Sequence, residues 1–178
     1  MKLYLVRHGQ TDWNTGHLVQ GRTDNTLNEV GIQQAKDLHD QIGDMQFDIC
    51  FSSPLTRAYQ TAEIIVDGRC KIVTSPLLME RDFGHFEGIK PSEDWMKYWT
   101  FSEGDTGIEG MEPLSSMFDR ARKFLDVIKN NFNDDARILV VSHGGLLKAM
   151  HYTIVGYDRE TDFLQMHFGN CEMYAYDI

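Results

Sequence analysis

The chain predicts an α/β fold, a three-layer αβα sandwich with an open, mostly parallel sheet, on three observations. Strand-like apolar runs alternate with segments of helical periodicity along the 178 residues. Two runs, 2–6 and 138–142, are nearly continuous in apolar residues, as strands buried on both faces should be. Both close on histidine and glycine, the first in Arg7, His8 and Gly9 and the second in Ser142, His143, Gly144 and Gly145.

Taken in order, strands are expected at 2–6, 49–52, 71–74 and 138–142, with 173–176 as a last, edge strand. Helices are expected at 29–42, 54–66, 114–132 and 146–154, where apolar residues recur at helical spacing. Ser53 followed by Pro54 reads as N-cap and first helical residue, while Gly43 and Gly156 read as helix stops. Residues 83–112 form a long, glycine-punctuated excursion carrying Trp95, Tyr98, Trp99 and Phe101, and such excursions are usually functional. With no linker or repeat elsewhere, the expectation is a single domain over 1–178 with a lid-like segment at 83–112.

Composition excludes several classes of partner. A formal charge of −10 argues against nucleic acid and anionic membrane, so any anion must be met by a local cluster of cations. No run is long enough for a signal core or a spanning helix. The three cysteines, Cys50, Cys70 and Cys171, have neither disulfide-framework nor zinc spacing, which points to a reducing cytoplasm. Cys50 reads as a small core residue.

In open α/β sheets ligands collect outside the carboxyl ends of the strands, so His8 and His143 share a crevice if their strands are neighbours. Arg7 adds a guanidinium matched to phosphate geometry. His8 is the candidate nucleophile, because a neutral imidazole can attack phosphorus while its other nitrogen is held by a carbonyl. His143, expected to be largely protonated, is the electrostatic partner, with Gly144 allowing close backbone approach. Alone, either histidine is better explained as a satisfied strand-end residue. Arg57, one turn into the third-block helix, is a candidate anion ligand, and Glu80 a candidate proton donor and acceptor. Asn14, Gln20 and Gly21 suit phosphate contacts and equally suit an ordinary loop. His85 is the remaining histidine expected nearest the site. No zinc, calcium or Walker-type motif appears, so neither metal nor cofactor is expected.

Five blocks carry a resemblance: LVRHGQTDWN at 5–14, QGRTDNTLNEVG at 20–31, SSPLTRAYQTA at 52–62, ERDFGHFEG at 80–88 and VVSHGG at 140–145. Together they resemble the histidine phosphatase superfamily in its phosphoglycerate mutase-like branch, compact members of which include broad-specificity and alpha-ribazole phosphatases. The resemblance implies a phosphohistidine at His8, a phosphate pocket of Arg7, Arg57 and His143, Glu80 as acid and base, and supporting contacts from Asn14 and Gln20. It implies a metal-independent phosphomonoester hydrolase whose partners are a small phosphorylated metabolite and inorganic phosphate, acting as monomer or homodimer. Mutases of the branch resemble ERHYGGLTGLNK after the acid and carry a basic insertion; here ERDFGHFEGIK leads into a shorter stretch with Glu93, Asp94, Glu103, Asp105, Glu109 and Glu112. That favours hydrolysis, and an acidic lid with aromatic residues that can stack a ring or cover an apolar group favours a monophosphate with a less anionic body. A cofactor-dependent phosphoglycerate mutase and a phosphoester-binding regulatory protein are the alternatives.

Overall fold

Five strands form one sheet in the order β3-β2-β4-β1-β5 in the computed structural model, which describes residues 1–178 apart from Thr106, Arg159 and the side chain of Asp94. The strands are β1 (Lys2–Arg7), β2 (Ile49–Ser52), β3 (Ile72–Thr74), β4 (Arg137–Ser142) and β5 (Met173–Asp177). All pairs are parallel except β1 with β5, the antiparallel edge. The main helices are α2 (Glu29–Ile42), α3 (Thr56–Val66), α5 (Leu114–Asn131) and α6 (Gly144–Val155), with four-residue turns α1 (Asp12–Thr15) and α4 (Phe101–Gly104).

Alternation along the central strands sorts the core into two layers. Leu3 and Leu5 of β1 and Ile138 and Val140 of β4 face α5 and α6, burying Phe118, Phe124, Leu146 and Met150 with them. Tyr4, Val6, Leu139 and Val141 face the other way, onto Ala35 and Leu38 of α2 and Ala58, Ala62 and Ile65 of α3. Cys50 is fully buried in this second layer. The helix after β1 therefore covers one face and the helix after β4 the other, although β1 and β4 are neighbours. The chain reverses winding at that point, which opens a crevice at the carboxyl ends of these two strands.

Boundaries mostly follow local chemistry, with one correction. Gly43 and Gly156 do end α2 and α6. The helix expected from Pro54 begins at Thr56 instead, with Leu55 as its N-cap and no side-chain cap from Leu55. The serine is diverted: Ser53 Oγ accepts from the Leu55 N–H at 3.3 Å and bonds His143 Nε2 at 2.8 Å. Asp24, from the loop after β1, supplies the missing cap by accepting from the Thr56 N–H at 2.7 Å and the Thr56 hydroxyl at 2.8 Å.

The 83–112 excursion has a small core of its own. Short 3-10 turns at Gly84–Phe86 and Glu93–Trp99 pack Phe83, Trp95 and Met111 with Val19. Arg81 is fully buried beneath them and donates to the carbonyls of Glu112, Tyr98 and Gly104 at 2.8, 2.6 and 2.8 Å. Glu112 accepts two bonds from Arg120 of α5 and one from Arg22, so this carboxylate is an anchor for the excursion.

Candidate active site

Register brings the two histidine segments together. Arg7 pairs with Ser142 across β1 and β4, and the His8 N–H donates to the Ser142 carbonyl at 2.9 Å. The ring centroids of His8 and His143 lie 5.2 Å apart. A cavity of about 360 Å³ opens above, with His8, Arg7, Arg57, Glu80, Asn14, Gln20, Gly21 and Gly144 in its lining. Of the residues that the sequence assigned to catalysis or phosphate binding, His143 alone is absent from that lining; it is fully buried beside His8.

His8 is held as one tautomer. Its Nδ1–H donates to the Gly9 carbonyl at 2.7 Å, which leaves Nε2 as the lone-pair nitrogen, and Arg57 Nε–H points at that nitrogen from 3.3 Å. Burial first, then the charges of Arg57 and Arg7, push its pKa well below the usual histidine range. An unprotonated Nε2 at the floor of a cationic cavity is a nucleophile ready for phosphorus. The backbone around it is fixed from several elements: Asn170 Nδ2 donates to the His8 carbonyl at 2.7 Å, and Thr61 Oγ1 accepts from the Gly9 N–H at 3.0 Å.

The arginines are oriented by main-chain carbonyls. Arg57 is fully buried and donates to the carbonyls of Thr23 and Gly21, each at 2.8 Å. Burial lowers its pKa to about 10 against the opposing charge of Glu80, so it stays a cation at neutral pH. Arg7 donates to the Phe168 carbonyl at 2.9 Å, while its Nε is buried without a partner among the described residues. An unpaired buried guanidinium N–H beside the nucleophile is a donor waiting for an anion. Gly21 serves the site through its carbonyl on Arg57 and its left-handed backbone, φ +53°; a Cβ there would collide with the carboxylate of Glu87, which caps the Arg22 and Thr23 N–H groups at 2.8 Å.

Glu80 is held at the start of α6. Its carboxylate accepts from the N–H groups of Arg81, Leu146 and Gly145 at 2.8, 3.1 and 2.9 Å. Gly145 is required there, because a Cβ would run into that carboxylate and the Trp99 ring. Asn14 and Gln20 are aimed by Thr11. The Asn14 Oδ1 accepts from the Thr11 N–H at 3.0 Å and the Gln20 Oε1 from the Thr11 hydroxyl at 2.9 Å, so both NH2 ends are left to the cavity.

Three expectations need correction. His143 was expected to be protonated, yet burial and the nearby Arg57, His8 and Arg7 push its pKa well below the usual range. A dianionic phosphoryl group is the opposite charge that would raise it. His85 does not line the cavity; it packs on Phe86, and His17 and His167 line the cavity instead. Nor do Glu93, Glu103, Asp105, Glu109 or Glu112 line it, so Glu80 is the one carboxylate among the described lining residues. Trp95 and Trp99 of the excursion line the cavity, while Thr61, Asn170, Glu87, Trp13, Lys148 and the bond of Ser53 to His143 were not foreseen from sequence. Among the described residues no group of three His, Cys, Asp or Glu is placed to hold a metal ion.

Known proteins resemble the chain in sequence and in fold. The chain is 37% identical over 157 residues to an uncharacterized phosphatase of Bacillus subtilis, covering 88% of this chain and 78% of the relative. It is 33% identical over 184 residues to the "Probable phosphoglycerate mutase GpmB" of Erwinia tasmaniensis, covering 99% and 85%. A crystal structure of a phosphoserine phosphatase from Entamoeba histolytica in complex with 3-phosphoglyceric acid superposes with a TM-score of 0.81 at 31% identity, covering 98% of this chain and 89% of that one. The family profile described as histidine phosphatase superfamily (branch 1) matches residues 3–178, and the chain belongs to that family.

Proposed function

We propose that this protein is a metal-independent phosphatase that hydrolyses small phosphomonoesters through a phosphohistidine at His8. The observation that carries the reading is the tautomer of His8, with Nδ1–H committed to Gly9 and an unprotonated Nε2 at the cavity floor accepting from Arg57 Nε–H. Nε2 attacks phosphorus as the bond to the ester oxygen breaks, and Glu80 gives that oxygen its proton, so the alcohol leaves neutral. Water then attacks the phosphoryl group, Glu80 takes its proton, the N–P bond breaks and inorganic phosphate leaves.

The remaining groups act on charge and position. As the nucleophile's lone pair is used, the Arg57 Nε–H transfers from it to a phosphoryl oxygen, joined by Arg7 Nε–H, the amides of Asn14 and Gln20 and the Gly144 backbone. His143 takes up a proton brought in by the phosphoester monoanion, which becomes the dianion, and the imidazolium so formed stabilises the phosphoryl charge. These cations supply the stabilisation that a metal supplies in other phosphatases, so no step calls for one. We read residues 1–178 as one domain, since both core layers share the one sheet. The free thiols Cys50, Cys70 and Cys171 support a cytoplasmic setting. No helix of the described residues is long and apolar enough to cross a membrane.

A chelator-treated assay over phosphomonoesters, run beside 3-phosphoglycerate with and without its 2,3-bisphosphate, tests the reading. Phosphate release from several esters without metal is the expected result. Isomerisation of phosphoglycerate with little phosphate release would make the protein a mutase, and tight vanadate binding without turnover would make it a binding protein.

A further inference from the structure

Beyond the phosphoryl end, the cavity holds one cation that the chemistry above does not use. Lys148 lies on α6, four residues after Gly144, so it stands on the same helix face about 6 Å further along the axis. Its ammonium sits 5.4 Å from the centroid of the Trp99 ring, in a cation–π arrangement, and lines the cavity with Trp13 and Trp95. Among the described residues no carboxylate lies within ion-pair distance of it.

Charge counting shows what is missing. The lining carries Arg7, Arg57 and Lys148 against Glu80 alone. A phosphoryl dianion answers the two guanidinium groups at the floor. The Glu80 carboxylate is itself taken up by the N–H groups of Arg81, Gly145 and Leu146. One half-buried ammonium on an aromatic face suits a single negative charge on a small carbon body better than a second phosphate dianion.

We propose that Lys148, seated on Trp99, is the specificity residue of this cavity and selects phosphomonoesters whose leaving alcohol carries a carboxylate. The proposal rests on the phosphatase reading, but its signature is a ratio between substrates and is separable from it. The carboxylate lies beside the ammonium, the carbon body lies along the tryptophans, and the ester oxygen points to Glu80. This reverses the sequence expectation of a less anionic substrate body, because the described acidic residues of the 83–112 excursion are absent from the cavity lining while Lys148 of α6 is part of it.

The matched probes are 3-phosphoglycerate and glycerol 3-phosphate, which differ by a carboxylate in place of a hydroxymethyl group. In the wild type, kcat/KM should favour 3-phosphoglycerate by about 10- to 100-fold. Lys148→Gln should bring that ratio close to one, mainly through KM for the carboxylated ester, and Lys148→Arg should restore most of it. No preference in the wild type, or a ratio that survives Lys148→Gln while both rates fall together, would overturn the proposal. If no phosphomonoester at all is turned over, the hydrolase reading fails by itself. Calorimetric affinities of the same two esters for wild type and Lys148→Gln then decide the question of Lys148 in the same way.

Discussion

At the floor of the cavity His8, Gly144 and Gly145 stand within a few residues of the two central strands; the His8 N–H is fixed on the Ser142 carbonyl and the Gly145 N–H on the Glu80 carboxylate. Along its wall Phe83, Trp95 and Trp99 are held by side chains reaching across the sequence, above all Arg81 on three carbonyls and the Glu112–Arg120 pair. The floor is thus a property of the sheet, and the wall a separately packed structure fastened to it. The reacting groups stand where the sheet fixes the backbone, the apolar wall is packed separately, and Lys148 on α6 reaches from the one to the other by its ammonium on the Trp99 ring.

The largest effect that would sharpen this division is at the floor. His8→Ala should lower turnover of an aryl phosphate by about 10⁴-fold or more with little change in the melting temperature. Retained turnover would take the nucleophile away from His8. Next, Glu80→Gln should slow alkyl phosphates by about 10²- to 10³-fold and p-nitrophenyl phosphate much less, because a good leaving group needs no proton. Equal slowing across leaving groups, read from a plot of rate against leaving-group pKa, would remove Glu80 from the acid role.

The wall should respond differently. Arg81→Met leaves three carbonyls without their charged donor, so stability in denaturant should drop by about 3 kcal/mol. Limited proteolysis should then cut first within 83–112, and KM should rise more than kcat falls. A fold lost as a whole, with no early cut there, would mean that wall and floor are one unit.

The smallest effect concerns pH. The folded pKa values of His8 and His143 are depressed, mainly by burial, so the unfolded chain binds protons below ~6.5 that the folded chain does not. Stability should therefore fall as pH drops below ~6.5, by about 1.4 kcal/mol per pH unit for each histidine until the folded pKa is reached. Denaturant midpoints across this window should fall less steeply for His8→Ala than for wild type. Equal slopes would place the His8 pKa in the ordinary range.

The same division explains what could be read from sequence. All five strands and the four long helices were legible because strands buried on both faces read as nearly continuous apolar runs and helices packed on one face read as apolar residues at helical spacing. Arg7, His8 and His143 were legible because they directly follow strand runs, and parallel pairing of β1 with β4 brings them together. Lys148 carried a usable signal, its spacing of four from Gly144, which was not taken. Asn170 and Glu87 carried none, since their partners lie 162 and 65 residues away. The start of α3 was misplaced because Ser53 looks like a cap but spends its hydroxyl on His143, a choice set by the tertiary fold.

The central claim is that His8 carries the phosphoryl group, and rapid quenching tests it directly. Wild-type protein mixed with an excess of p-nitrophenyl phosphate in chelator, then quenched in alkali, should hold an acid-labile, alkali-stable phosphoryl group mapped by mass spectrometry to His8. A matching burst of nitrophenol should accompany it, and both should vanish in His8→Ala. Steady turnover with no phosphoenzyme and no burst, persisting in His8→Ala, would contradict the account.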